Sequence, residues 1–215
     1  MARIFKGILG GFSGKVGNIV GSTWRGIDVI KSLPKKMNRV PSEKQAAIRF
    51  KFSKAISFLK PITEIINMGY QDHLLTDRTA FNEAISNLMQ VDMIGDGLIK
   101  HFDLSKIKLS KGSLNVLHKL KVERDATNNK NLQLTWETPA GEPRKRGDDL
   151  VHLVFYDPAT NKFVTPPPFK RMDKSVRFLL EDDLGLIDIN LWVFVSDEDR
   201  REVSNSQFIH LKKVK

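Results

Sequence analysis

The chain has 215 residues, 40% hydrophobic and 28% charged, which is enough for one or two domains with a sizeable core. It contains no cysteine, which excludes a disulfide framework, a thiolate metal site and a cysteine nucleophile. Its net charge of +10 is confined to the front: residues 1–60 hold 13 Lys/Arg against Asp28 and Glu43, whereas residues 61–215 hold 22 Lys/Arg against 23 Asp/Glu.

A basic front on a near-neutral body predicts an anionic partner: nucleic acid, a membrane surface or an acidic protein. No apolar run approaches the roughly 18 residues that cross a bilayer. Ile8 and Leu9 are followed by Gly10 and Gly11, too short a run for a signal-peptide core. The expected location is cytoplasmic or particle-associated.

Residues 4–33 read as extended structure with tight turns. Ile4, Ile8, Val16, Ile19, Val20, Trp24, Ile27, Val29, Ile30 and Leu33 are mostly strand formers. Seven of the 14 glycines punctuate them: Gly7, Gly10, Gly11, Gly14, Gly17, Gly21 and Gly26. The spacing predicts two hairpins, one turning near Ser13-Gly14 and one near Arg25-Gly26. Such an arm buries too little by itself and is expected to pair with another sheet or another subunit.

Pro34 to Pro41 is a basic linker. Ser42 and Gln45 then have capping-box spacing, in which each side chain reaches the other's backbone N–H. Ile48, Phe52, Ala55, Leu59, Ile62 and Ile66 alternate spacings of four and three, one apolar helix face. Pro61 is expected to interrupt that helix. The segment is basic and amphipathic, as interfacial helices are, but its stripe runs on through Ile62 and Ile66 as a core-facing stripe does. A second helix is predicted over Asp77–Val91, with Phe81, Ile85, Leu88 and Met89 inward, followed by a turn from Asp92 to Gly97.

From about Leu98 the pattern becomes strand-like. Leu132, Leu134 and Trp136 alternate. Leu150–Tyr156, Lys162–Val164, Val176–Leu180, Ile189–Val195 and Phe208–Leu211 follow as further strands. Turn signals separate them at Asn128-Asn129, Pro139 to Gly147, Asp157-Pro158, Pro166-Pro167-Pro168 and Asp182-Asp183. Six or seven short strands in this span predict a β-sandwich or barrel.

The run LKVERDATNNKNLQLTWETP, LVHLVFYDPATNKFV and INLWVFVSDEDRREVSNSQFIHL resembles a fibronectin type III-like sandwich, with Trp136 on its second strand facing the Phe155-Tyr156 strand. That resemblance implies a binding or spacer module. In front, GILGGFSGKVGNIVGSTWRGIDVIKSLPKK followed by SEKQAAIRFKFSKAISFLKP resembles an uncharacterised family of small basic proteins, a domain of unknown function found widely in Bacteroidota. Similar segments occur in phage-like and mobile-element proteins. The resemblance covers the first sixty or so residues and, loosely, the remainder. It implies a recurring structural unit and carries over no activity and no functional residues.

The expected fold is α+β, mainly β: a Gly-rich β-hairpin arm and two helices over residues 1–105, then a fibronectin type III/Ig-like sandwich over residues 106–215.

Chemistry-bearing motifs are scarce. Gly14-Lys15 lacks the glycine five residues earlier (Leu9 stands there) and the Ser or Thr after the lysine (Val16) that a phosphate-binding loop needs. His73, His101, His118, His152 and His210 have no helical zinc spacing. Asp182-Asp183 and Asp197-Glu198-Asp199 lack the alternation and central glycine of a calcium loop. No nucleophile-elbow motif is present.

The expectation is therefore a non-enzymatic structural or assembly protein, of a phage-like or mobile-element particle, self-associating through the arm, with no cofactor and no metal. The alternative is a nucleic-acid-binding module. In that reading Lys15, Arg25, Lys31, Lys35, Lys36, Arg39, Arg49 and Lys51 meet phosphates, and Trp24 and Phe50 serve stacking or assembly.

Overall fold

A computed structural model describes residues 3–4, 12–24, 26–35, 40–71, 78–95, 100–124, 131–137, 147–179 and 188–212. The chain divides into two compact units, Met1–Ala47 and Ile48–Lys215. The expected division at residue 105 falls inside the second unit.

The first unit is an antiparallel sheet in the order β1-β2-β3-β4, formed by β1 (Arg3–Ile4), β2 (Phe12–Val16), β3 (Ile19–Trp24) and β4 (Ile27–Ser32). The expected hairpin at Arg25-Gly26 is present: Trp24 pairs with Ile27, and Gly26 takes φ +81°. The other expected turn is displaced. Ser13 and Gly14 lie inside β2, and the chain turns at Gly17-Asn18, between the paired residues Val16 and Ile19. Gly17 has φ +57°, the conformation that the first position of a two-residue mirror-image hairpin turn requires. Gly21 serves a different purpose. It is buried, and a Cβ there would run into the Phe12 ring and carbonyl on the sheet face they share.

The second unit is built on a five-stranded sheet. Its central strands are β9 (Leu150–Asp157) and β13 (Asp188–Ser196), which pair antiparallel from Leu150–Ser196 to Tyr156–Asn190. Around them the helices come first in the chain: α1 (Glu43–Leu59), which begins within the first unit, then α2 (Thr63–Gly69) and α3 (Ala80–Gln90).

The Ser42–Gln45 capping box forms at the head of α1, at 3.2 and 3.4 Å. Pro61 ends that helix as expected: a 3-10 turn, Lys60–Ile62, separates α1 from α2. At the start of α3, the Thr79 side chain accepts from the Asn82 N–H. In place of a simple turn after α3 there is a two-residue strand β5 (Met93–Ile94), which pairs with β6 (His101–Phe102).

The sandwich strands are β7 (His118–Arg124), β8 (Asn131–Glu137), β10 (Lys162–Val164), β11 (Phe169–Lys170), β12 (Ser175–Leu179) and β14 (Gln207–Lys212). A three-stranded sheet, β12-β8-β7, stands against the five-stranded one, in which β9 and β13 are flanked by β10 and β11 on one side and β14 on the other. Both β10 and β11 pair with β9. They form one interrupted edge strand, because the three prolines between them have no N–H to offer the ladder. The turns expected at Asn128-Asn129 and Asp182-Asp183 lie outside the described residues, as does Pro139 to Arg146.

The near-continuous apolar runs of β9 and β13 now have a cause. Successive side chains point to opposite faces, and both faces are covered. Val151, Leu153, Phe155, Ile189, Leu191, Val193 and Val195 join Leu132, Leu134 and Trp136 in the sandwich core. Val154, Tyr156, Trp192 and Phe194 join the helical residues Ala55, Phe58, Leu59, Ile62, Ile66, Ile85 and Leu88 in a second core. Phe155 thus faces Trp136 across the sandwich as the resemblance implies, while its neighbour Tyr156 faces the helices.

Polar groups pin both cores. The Trp192 indole N–H donates to the Ile107 carbonyl at 3.0 Å, and that of Trp136 to the Arg171 carbonyl at 2.8 Å. Arg171, 1% exposed, meets Asp149 at 3.4 Å and donates to the carbonyls of Asn115 and Val116.

Candidate interaction surfaces of the arm and of the Phe50 cleft

The register of the arm sorts its side chains. Residues opposite each other in an antiparallel pair share a face. Lys15 pairs with Val20 and Val20 with Lys31, so the two lysines flank Val20 on one face, about 10 Å apart across two strand spacings. Ile27 and Val29 alternate with Asp28 and Ile30 along β4 and so belong to that same face. The other face carries Phe12, Val16, Ile19 and Ile30, with Gly14 and Gly21 between them.

Both faces are therefore partly apolar, and both are open. Val16, Ile19, Ile27, Val29, Ile30 and Leu33 are 38–63% exposed. Every residue of β4 is exposed.

Of the candidate cations, Lys15, Lys31, Lys35 and Arg49 are exposed and Lys51 is half-buried. The register brings Lys15 and Lys31 together. Arg25, Lys36 and Arg39 lie outside the described residues, as does the side chain of Trp24, whose backbone pairs with Ile27.

The predicted stripe of α1 is divided. Ala55, Leu59, Ile62 and Ile66 are buried, but Ile48 and Phe52, earlier on the stripe, are 60% and 45% exposed. Helical periodicity marks a face; it does not say where along the helix the cover ends.

Phe50 is half-buried and lines a cleft of about 350 Å³ with Phe58, Tyr156, Lys54, Lys100 and His101. The Lys54 ammonium stands 5.6 Å from the Phe50 ring centroid. Burial, then the charge of Asp157, raises the Tyr156 phenol above its ordinary value, and the hydroxyl donates to Asn161 at 2.9 Å.

Sequence reasoning missed Lys54, Lys100 and His101 as companions of Phe50. Lys54 was legible, one helical turn on from Phe50. The other two arrive from a segment some fifty residues away.

His152 is a perturbed histidine. It is buried, stacks on Phe194 at 4.9 Å between ring centroids, and meets the Ser196 hydroxyl at 2.9 Å. Ser196 donates its one hydrogen to the Asp197 carbonyl, so the Nε2 of His152 is the donor of the pair. Burial, with the charge of Arg200 second, pushes the imidazole down to about 4. It is a neutral packing group on the helix side of the sheet. Among the described residues no three His, Asp or Glu side chains gather as a metal site, and no helix is long and apolar enough to cross a membrane.

A family model described as "Family of unknown function (DUF6266)" matches residues 11–210. No curated protein matches the chain. Among solved structures, the fn3 domain of human contactin 1 is similar over 49% of this chain and 84% of that one, at 13% sequence identity and a TM-score of 0.29.

Proposed function

We propose, from the premise that this chain belongs to the DUF6266 family of unknown function, that it is a non-enzymatic assembly protein that self-associates through its N-terminal arm. The observation that carries this reading is the open arm sheet, whose large aliphatic side chains are 38–63% exposed. Large aliphatic side chains left open on both faces of a sheet lack the cover that sheets normally have. Apolar surface of this kind marks an interaction site. A subunit of a larger particle, in the cytoplasm or bound to that particle, supplies the cover. The sandwich is then the outward-facing part.

The test is the mass of the nuclease-treated protein by light scattering at about 50 mM and about 500 mM salt, with absorbance at 260 and 280 nm. A discrete oligomer at both salts that disappears on deletion of residues 1–33 is the expected result. A monomer at both salts overturns the reading.

A second reading, nucleic-acid binding, is favoured by one observation: Lys15 and Lys31 flank Val20 on a single face. It expects nucleic acid bound at low salt and shed at high salt, because phosphate contacts release counterions. Charge reversal at Lys15 and Lys31 would flatten that salt dependence.

A further inference from the structure

We infer that the outer edge of β4 is a self-complementary strand-pairing site, on which β4 of a second copy docks antiparallel about a two-fold axis at Ile30. The inference rests on the assembly reading and names its contact.

Strand β4 pairs with β3 on one side and, among the described residues, with nothing on the other. Its backbone groups alternate in direction. The Leu33 N–H donates to the Asn18 carbonyl at 2.7 Å, which marks the side on which odd-numbered residues bond inward. Ile27, Val29 and Lys31 share that parity. The N–H and C=O groups of Asp28, Ile30 and Ser32 therefore point outward, in position to bond another strand.

A second β4 can meet this edge only in registers that oppose outward residues to outward residues. Centring on Asp28 or on Lys31 opposes like charges, which is unfavourable. Centring on Ser32 leaves little of the strand overlapped. Centring on Val29 sets Ile27 opposite the partner copy's lysine and ends at the Gly26 turn.

Centring on Ile30 is the register in which residues 27–33 all find partners. Ile30 meets its own copy, Ile27 meets Leu33, and Asp28 meets the Ser32 hydroxyl. The Lys31 stem lies over Val29 with its ammonium free to reach water. Ile30, at 63%, is also the most exposed aliphatic side chain of the described arm. In this register the apolar face of Phe12, Val16, Ile19 and Ile30 runs on into the same face of the partner copy. The two four-stranded sheets become one. The contact is two-fold, the same edge meeting itself in both copies, so it closes as an isologous dimer.

The chain has no cysteine, so a single introduced thiol reports the register. Directly paired residues in a hydrogen-bonded antiparallel pair are about 5.5 Å apart at Cα, within disulfide reach. Two copies of residue 27 would be about 20 Å apart. Oxidation of the full-length Ile30→Cys variant should give a covalent dimer on a non-reducing gel, and Ile27→Cys should not.

Ile30→Pro deletes an outward N–H while leaving the bonds to β3 in place, since an edge strand tolerates proline there. It should halve the mass seen by light scattering, whereas Ile30→Thr, which keeps the N–H, should retain it. An oligomeric wild type whose Ile30→Pro form keeps its mass, or whose Ile27→Cys form cross-links as readily as Ile30→Cys, overturns the edge contact and leaves assembly through the sheet faces standing. A monomeric wild type overturns both.

Discussion

The arm and the central sheet use the same residue types to opposite ends. In β9 and β13, Val, Ile, Leu, Phe and Trp alternate between two covered faces, and most are 0–2% exposed. In β4 the sequence Ile-Asp-Val-Ile-Lys-Ser has comparable strand propensity, yet its apolar residues stay open. Strand propensity therefore says which segments extend, and supplies no information about what covers them. Cover comes from chain elsewhere: three helices on one face of β9 and β13, and the sheet β12-β8-β7 on the other. Among the described residues of its own unit the arm has neither cover, which is why assembly is the reading we favour.

The comparison breaks most visibly on substitution of one large side chain from each region. Trp192, 0% exposed and packed against Phe58 and Phe208, should cost about 3–5 kcal/mol on replacement by alanine. Urea unfolding of the second unit, followed by the remaining tryptophan fluorescence and far-UV circular dichroism, measures it. An unchanged midpoint would show that the double-sided core is not what holds the unit together.

Asp149→Ala comes next. It removes the carboxylate 3.4 Å from the buried Arg171 guanidinium, which keeps its bonds to the Asn115 and Val116 carbonyls, a loss of about 1–3 kcal/mol. Replacing both partners by apolar residues, as in Asp149→Leu with Arg171→Met, should recover much of that loss in the same assay, since the pair's own net value is small.

The pH dependence of stability sharpens the comparison further, because the buried histidine belongs to the second unit. His152 is held at about 4 in the folded chain against an ordinary value near 6.5. The unfolded chain therefore binds the proton first. The stability contributed by the neutral imidazole is fully present above about pH 6.5, falls as the pH drops from there, and levels off near pH 4. The total loss is up to about 3 kcal/mol. Denaturant midpoints taken across that window should fall for the wild type and run flatter for His152→Gln. Parallel curves for the two proteins would assign the acid sensitivity to other groups.

Smallest of all should be Ile27→Ala in the arm. At 53% exposed, Ile27 should change the unfolding free energy of the isolated subunit by no more than about 0.5 kcal/mol. A loss several times larger, measured by thermal melting of the Ile30→Pro variant background, would mean that the arm already has its cover within one chain.

Much of the candidate surface was legible as composition and little of it as geometry. The basic front, the strand formers between glycines and the turn at Gly26 could all be read directly. The turn at Gly17-Asn18 could not be separated from one at Ser13-Gly14, because glycine fits a turn, a bulge or a close crossing equally well. Gly14 and Gly21 proved to be strand residues, and the packing of Phe12 over Gly21 is a cross-strand relation with no local signature. The placing of Lys15 and Lys31 on one face follows from the registers of β2–β3 and β3–β4, which the two hairpins set.

What the sequence by itself determined is the local layer: the Ser42–Gln45 cap, the break at Pro61, the alternation of Leu132, Leu134 and Trp136, and the runs that became β9 and β13. These depend on backbone preferences and periodicity within a few residues. Only the tertiary structure decided that β9 and β13 separate two cores, that Ile48 and Phe52 remain outside the helical one, and that Phe50 shares a cleft with Lys100 and His101. An apolar side chain carries the same hydrophobic free energy wherever it stands in the chain. Which surface removes it from water is settled by segments tens of residues away, whose approach no local pattern encodes.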